Sequence, residues 1–230
     1  MQLAIDTSTD MASIALTNQS EVVAELTWQC GQSHTVQLLP NLVHLLQQAG
    51  MSFDHIDAVI VAIGPGSFNG LRVGVSTAKG VAFALGIPLV GISTLEVEAL
   101  PFAFTGLPIY PIHNAGRGEI AAALFQMKDK EWRKLLEEHI TTLDALCSQV
   151  RDKAIFCGEI SSAMQDRIVE CLDEQVVVPA AAARLRRAGY LVQLGWQRLN
   201  TGNSDDIATL QPLYLRRPSI TQPKPRSVSR

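Results

Sequence analysis

A glycine-rich loop between an apolar run and a helical segment is the strongest candidate for chemistry in this chain. The loop reads Gly64-Pro65-Gly66-Ser67-Phe68-Asn69-Gly70 and continues through Leu71 to Arg72. A loop that joins a strand to a helix N-terminus points backbone N–H groups at a possible anion. It is not a P-loop, because no Gly-Lys-Ser/Thr follows, and its glycine spacing does not fit the dinucleotide-binding fingerprint. The pattern favours close strand–helix packing or recognition of a partner over nucleotide chemistry.

A second candidate stands at the end of the first apolar run, where Asp6 is followed by Thr7 and Ser8. One carboxylate with nearby hydroxyls could hold a metal–phosphate, as half of the site of a two-lobed ATPase. The other half of the chain has Asn114 at the matching position, and an amide adds no charge to hold Mg²⁺. We therefore interpret Asp6, Thr7 and Ser8 as a vestigial phosphate loop in which Asp6 caps its own turn. A competent ATPase is disfavoured.

Neither the histidines nor the hydroxyl side chains form a recognisable site. His34 has Leu38 four residues on, where a second metal ligand would be needed on a helix, and His44 falls on another face. Ser33 next to His34 is typical of a helix cap. No nucleophile elbow is present, and no cysteine stands beside an obvious base. We expect no catalytic residue, no metal site and no intrinsic cofactor.

The apolar pattern around these residues predicts strands and helices in an order that occurs twice. In the first half we expect strands over 2–6, 11–16, 21–28, 58–63 and 87–90, and helices over 35–49 and 72–85 with another beginning at 93. In the second half we expect strands over 107–112, 119–127, 133–140 and 154–157, and helices over 142–150, 162–172, 180–188 and 190–200. The repeated order predicts a duplicated ribonuclease-H-like or actin-like α/β fold, with a single doubly wound sheet as the alternative.

We place one lobe at 1–105, a second at 106–215 and a disordered basic tail at 216–230. The tail carries five basic residues and no acid, which serves solubility or weak contact with phosphates. The whole chain has a formal net charge of -3 and a pI of about 5.9, so it does not resemble a protein that binds nucleic acid by itself. No secretory signal, membrane span or C-x-x-C pair is present, and we expect a cytoplasmic protein.

The first two predicted helices carry more apolar and small residues than one sheet requires. In the helix over 35–49 the expected core stripe consists of Val36, Leu39, Leu42, Val43 and Leu46. Leu38 and Leu45 fall outside that stripe, and in the next helix Gly74, Ala78 and Ala82 recur every four residues. These five residues indicate either tight packing inside the lobe or an intermolecular helical bundle, and we favour the bundle.

Three segments of the sequence resemble the TsaB family, also called YeaZ. They are Leu3-Ala4-Ile5-Asp6-Thr7-Ser8, the loop from Gly64 to Arg72, and Pro212-Leu213-Tyr214-Leu215-Arg216, and His34 with Leu38-Leu39-Pro40 also resembles the family's first-helix entrance. The resemblance implies an actin-like two-lobed fold and a role in making threonylcarbamoyladenosine beside the anticodon of tRNA. It also implies three partners: a TsaD-like catalytic paralogue, a TsaE-like ATPase, and tRNA held mainly by the complex. ATP and Mg²⁺ would be bound by the partner subunits.

The resemblance implies that the first-lobe helices bind the paralogue and that the same surface can form a homodimer. Departures from the family pattern lie at Asn69, at Asn114-Ala115-Gly116-Arg117-Gly118-Glu119 and at Gly158-Glu159. They fall mostly in the second lobe. The sequence therefore predicts a non-catalytic partner subunit of the threonylcarbamoyl-transfer machinery. A weak ATPase or peptidase and a direct tRNA binder are the alternatives.

Overall fold

The computed structural model describes residues 1–19 and 21–216, and its first half is built on a five-stranded sheet. The strands of this sheet are β1 (Gln2–Asp6), β2 (Met11–Asn18), β3 (Glu21–Gln29), β4 (Ala58–Gly64) and β5 (Leu89–Ser93), in the order β3-β2-β1-β4-β5. The first three strands are antiparallel, whereas β4 and β5 run parallel to β1. Its helices are α1 (His34–Gln48), α2 (Phe68–Leu85) and α3 (Thr94–Ala99).

The second half repeats this plan in a second five-stranded sheet. Its strands are β6 (Ile109–Gly116), β7 (Glu119–Lys128), β8 (Glu131–Thr141), β9 (Ala154–Gly158) and β10 (Val176–Val177), in the order β10-β9-β6-β7-β8. Its helices are α4 (Leu143–Cys147), α5 (Ser162–Leu172) and α6 (Ala188–Asn200). Each sheet thus has an antiparallel three-stranded part and two further parallel strands. The duplicated plan is confirmed, and the single doubly wound sheet is wrong.

Three of the predicted helices differ from the observed ones. Helix α4 ends at Cys147 and not at residue 150. The second helix begins at Phe68, not at residue 72, because the side chain of Ser67 accepts a hydrogen bond from Gly70 N at 3.3 Å and so caps the helix inside the glycine-rich loop. The helix expected over 180–188 is a single 3₁₀ turn, Ala181–Arg184. There the Arg184 side chain donates to the carbonyl oxygens of Pro179 and Ile160, which holds the turn against the end of β9.

Each sheet is covered in part by a helix from the other half of the chain. Helices α1 and α2 pack on one face of the first sheet, and α6 packs on the other face against β1, β2, β4 and β5. Helix α3 follows β5 but packs against β6, β7 and β9 of the second sheet. The boundary predicted at 105/106 therefore separates the sheets, but the first sheet needs α6 and the second needs α3.

A C-terminal segment, residues 203–216, returns across the first sheet and is called the strap below. Asp205 N donates to Leu89 O at 2.8 Å and Leu213 N donates to Ile63 O at 2.7 Å, so the strap runs from the start of β5 to the end of β4. Of the predicted basic tail, 217–230 lie outside the described residues. Among the helices that the structure describes, none is long and apolar enough to cross a membrane.

Candidate functional site

The glycine-rich loop and the Asp6 turn lie against each other. A Cβ atom on Gly66 would meet the carbonyl oxygen of Ser8, and one on Gly70 would meet that of Thr7. Ser67 N donates to Ser8 O at 2.6 Å, and the Thr7 hydroxyl donates to Gly70 O at 2.7 Å. The glycines are required by this close approach of two backbones. The loop thus packs against a protein turn, as the structural interpretation predicts.

Asp6 caps its own turn, as the sequence predicts. Its Oδ1 accepts hydrogen bonds from Ser8 N at 2.9 Å and from the Ser8 hydroxyl at 2.6 Å. Its Oδ2 accepts a 2.5 Å hydrogen bond from Nε of Arg186, which is buried with it. The sequence analysis missed Arg186, because a basic residue 180 positions away carries no local sign of burial. Both oxygens of Asp6 are therefore already engaged by the protein.

Asn114 does not face Asp6, so it is not the counterpart that the duplication suggested. It is exposed, and its side-chain oxygen accepts a hydrogen bond from Gly116 N at 2.8 Å, which caps the β6–β7 turn. The second acid beside Asp6 is instead Glu98 of α3, whose Oε1 accepts from Arg186 Nη1 at 2.8 Å. The sequence analysis did not single out Glu98.

His113, one residue before Asn114, completes this buried group of charges. Its Nε2 lies 2.8 Å from Glu98 Oε2 and its Nδ1 lies 3.8 Å from Glu159 Oε2. Burial lowers the pKa of His113, but the Glu98 and Glu159 carboxylates together raise it by more, so the pKa is above its ordinary value. With a carboxylate facing each ring nitrogen, the imidazolium is the form that the site favours.

A cleft of about 340 Å³ opens between the glycine-rich loop, the β6–β7 turn and the strap. The rings of Phe68 and Tyr214 lie 5.1 Å apart on one side, and the guanidinium of Arg72 lies over the Phe68 ring. Arg117 lines the other side, and Arg216 pairs with Glu119 at its edge. Two of the three segments that resemble the TsaB family thus meet at this cleft.

The predicted interface residues of α1 are wrong. Leu38 and Leu45 are buried in the core of the first lobe, whereas Val36, Leu39 and Val43 are 70%, 52% and 37% exposed. Both stripes fit a helical period, and the sheet buries the stripe that includes Leu38 and Leu45 together with Leu42 and Leu46. Leu42 and Leu46 were predicted correctly as core residues. The prediction was wrong about the other residues, since it placed Val36, Leu39 and Val43 in the core in place of Leu38 and Leu45.

The small-residue ridge of α2 also packs inside the lobe. Gly74, Ala78 and Ala82 are buried, and a Cβ atom on Gly74 would meet the hydroxyl of Thr7. The intermolecular bundle that we favoured for these three residues is therefore wrong, because they pack inside the lobe. What α1 presents to solvent is the stripe Val36, Leu39 and Val43, which we call the α1 outer stripe. The helix contains no Asp, Glu, Lys or Arg anywhere along its length.

The duplicated sheets, with a cleft between them, define an actin-like two-lobed protein. A hexokinase of Thermus thermophilus has the same fold, with a TM-score of 0.51 at 10% identity over 85% of this chain and 98% of that one. A Pseudomonas aeruginosa protein described as similar to the peptidase YeaZ superposes with a TM-score of 0.78 at 24% identity, covering 94% of this chain and 99% of that chain. These likenesses concern the fold alone.

Sequence relationships give the family. The model of the family described as TsaD, tRNA N6-adenosine threonylcarbamoyltransferase, matches residues 22–223. A Bacillus subtilis (strain 168) protein named tRNA threonylcarbamoyladenosine biosynthesis protein TsaB is 32% identical over 218 residues, which is 93% of each chain. The chain belongs to the TsaB (YeaZ) family.

Proposed function

We propose that this chain is a non-catalytic subunit of the machinery for tRNA threonylcarbamoyladenosine biosynthesis. It acts by binding a TsaD-like catalytic paralogue and stabilising its active form. The observation that carries the proposal is the α1 outer stripe, an exposed apolar stripe on a helix without charged side chains. The name of the Bacillus subtilis relative supports the pathway.

The composition of α1 supports a partner surface and not a solvated one. Helices at the surface of a monomer normally carry charged side chains on the face away from the core. The outer stripe of α1 exposes two valines and a leucine at a spacing of three and four residues, and Pro40 and His44 lie beside it. An exposed apolar face of this kind is typical of a helix that packs against another protein.

The state of the interlobe cleft supports the absence of catalysis. Asp6, the acid that would hold a metal–phosphate, is bound by Arg186 and by its own turn. The second acid beside it, Glu98, also accepts a hydrogen bond from Arg186. Both acids are thus paired with one arginine of the chain, which favours a subunit without its own nucleotide chemistry.

Charge substitutions on α1 test the interface. Leu39→Glu is expected to weaken binding of the paralogue at least about tenfold, because it buries an unpaired charge at the contact. Val169→Glu is the matched control, since Val169 is a similarly exposed apolar residue on α5 of the other lobe. Titration calorimetry of both variants gives the comparison. Equal affinities for the two variants would contradict the proposed surface.

The same proposal includes further partners of the complex. A TsaE-like ATPase and tRNA join through the complex, ATP and Mg²⁺ are bound by those partner subunits, and the setting is the cytoplasm. A homodimer through the α1 outer stripe is the competing use of the same surface. Sedimentation of the isolated chain and of Leu39→Glu distinguishes the two uses. A dimer that is lost in the variant would show that the stripe also mediates self-association. Monomers in both samples would mean that the paralogue alone binds the stripe.

A drop-out reconstitution tests the function itself. The paralogue, the ATPase, a threonylcarbamoyl donor and tRNA are combined with and without this chain, and modified adenosine is measured. We expect product only when the chain is present, and no ATP or peptide turnover by the chain alone. Product formed equally without it would overturn the proposal. Turnover by the isolated chain would favour the ATPase or peptidase alternative.

A further inference from the structure

Four buried side chains from distant parts of the chain form one group of charges, which we call the interlobe ion cluster: Asp6, Glu98, His113 and Arg186. Their side chains are 0%, 3%, 2% and 4% exposed. The three nitrogens of the Arg186 guanidinium each have a different partner. Nε donates to Asp6 at 2.5 Å, Nη1 to Glu98 at 2.8 Å and Nη2 to the Thr9 hydroxyl at 2.7 Å.

The cluster is balanced in charge when His113 is protonated. Asp6 and Glu98 contribute two negative charges, and Arg186 with the His113 imidazolium contributes two positive ones. Burial of charges is costly unless they are paired and hydrogen-bonded, so each member depends on the others. Arginine suits this task, because its planar fork can serve several acceptors and keeps its charge when buried.

The members of the cluster come from both lobes. Asp6 ends β1 of the first sheet and His113 lies on β6 of the second, while Glu98 is on α3, the helix that packs between them. Arg186 stands just before α6, which packs on the first sheet. In a two-lobed ATPase a cation and phosphate would bridge the lobes at such a carboxylate. In this protein the Arg186 guanidinium lies at that carboxylate.

The turn that Arg186 holds also contacts the starts of both outer helices. The His34 Nε2 atom, at the first residue of α1, lies 2.8 Å from Thr9 O. At the start of α2, Ser67 N donates to Ser8 O and Thr7 donates to Gly70 O. Any movement of the turn over residues 6–9 would therefore displace the N-termini of α1 and α2.

We propose that Arg186 is a built-in cation that takes the place of a bound metal–phosphate. It holds the two lobes together and fixes the starts of α1 and α2 without any ligand. The two lobes thereby stay closed on each other without a ligand, whereas a related protein that depends on nucleotide would need its ligand to close them. This inference concerns the isolated chain and goes beyond the proposed function, so a failed reconstitution would leave it untouched.

Hydrogen exchange of the isolated chain tests the proposal. Arg186→Gln is compared with Arg187→Gln, in which the neighbouring arginine, 53% exposed and paired with Glu25, is changed in the same way. In Arg186→Gln we expect exchange roughly tenfold or more faster at the amides of the turn over 6–9, the starts of α1 and α2, and β6. Arg187→Gln is expected to exchange as the wild type does in those segments. Similar exchange in both variants, fast or slow, would overturn the proposal.

Two further variants, one that keeps the charge and one that can be rescued by an added guanidinium compound, keep the test decisive if Arg186→Gln does not fold. Arg186→Lys retains the charge but cannot reach Asp6, Glu98 and Thr9 together, so the same segments should exchange faster in a folded protein. Wild-type exchange in this variant would overturn the bridging role. In Arg186→Ala, methylguanidinium at millimolar concentration should raise the unfolding temperature, whereas Arg187→Ala should not respond. An equal response of the two variants would also overturn the proposal.

Discussion

At the residue scale, the ion cluster decides which protonation state His113 adopts in the folded chain. Glu98 faces one ring nitrogen and Glu159 faces the other, while Arg186 shares the Glu98 carboxylate. Burial alone lowers the pKa of a histidine, and the like charge of Arg186 lowers it too. The Glu98 and Glu159 carboxylates together outweigh both effects, so the pKa of His113 is raised and folding stabilises the imidazolium.

This pKa predicts a pH-dependent part of the stability. Because the pKa is higher in the folded than in the unfolded chain, the stabilising contribution is complete below the ordinary value of about 6.5 and is lost as pH rises through the folded value. The free energy of unfolding of the wild type should therefore exceed that of His113→Gln by more near pH 6 than near pH 9. Urea unfolding at both pH values measures it. His44→Gln, at an exposed position of α1, is the control, and a difference independent of pH would contradict the prediction.

At this scale the sequence predicted contacts between neighbouring residues but not contacts between residues far apart in the chain. The turn cap at Asp6 was predictable, since an aspartate followed by Thr7 and Ser8 can accept hydrogen bonds from its next residues. Arg186 and Glu98 were not, because their partners lie 180 and 88 residues away and neither burial nor pairing of a charge is visible in a local pattern. Buried ion pairs of this kind are set by tertiary structure alone.

At the element scale, α1 illustrates why a helix with excess apolar residues has an ambiguous inner face. Apolar residues occur on two stripes, one through Leu38 and Leu45 and one through Val36, Leu39 and Val43. Either stripe satisfies the helical period, so periodicity predicted the helix correctly but chose the wrong stripe to join Leu42 and Leu46 in the core. Packing against the sheet and α2 determines which stripe is buried: the larger leucines lie inside and the stripe with two valines lies outside.

Two glycines of α2 provide a matched pair for testing how closely that helix packs on the Asp6 turn. Alanine is favoured over glycine in a helix by about 1 kcal/mol. Gly80→Ala adds a methyl group in open space and should stabilise the protein by about 0.5–1 kcal/mol. Gly74→Ala places that methyl group on the buried Thr7 hydroxyl and should destabilise it by about 1–3 kcal/mol. Denaturant midpoints of both variants measure this, and shifts of the same sign would contradict the packing.

At the scale of the whole molecule, the two lobes are separate in their sheets and joined through their helices. The two sheets follow from the alternation of strands and helices, which is why the sequence predicts a duplicated fold and a boundary near 105. It does not predict which sheet a given helix covers, because an amphipathic helix fits any apolar face. Gly195 of α6 allows that helix to approach Ile60 of the first sheet closely, a contact between residues 135 positions apart in the chain.

The exchange of helices predicts that the first lobe does not fold by itself. In a fragment of residues 1–105, the sheet face that α6 covers would expose Ala4, Ala15, Ile60 and Val90 to water. Burying a single large aliphatic side chain contributes about 1.5–3 kcal/mol, so losing this contact removes much of a typical stability of about 5–15 kcal/mol. We expect the fragment to unfold without a cooperative transition, as followed by circular dichroism in urea.

Complementation shows whether α6 is the missing part. A peptide of residues 180–216 added to the fragment should restore a cooperative transition, because it supplies α6 and the strap. The same peptide with Leu191→Asp should fail, since Leu191 is buried against the first sheet, while Gln193→Asp, two residues on and exposed, should succeed. Cooperative unfolding of the fragment alone, or equal rescue by both altered peptides, would mean that the first lobe is stable without α6. The predicted boundary would then also be a boundary of folding.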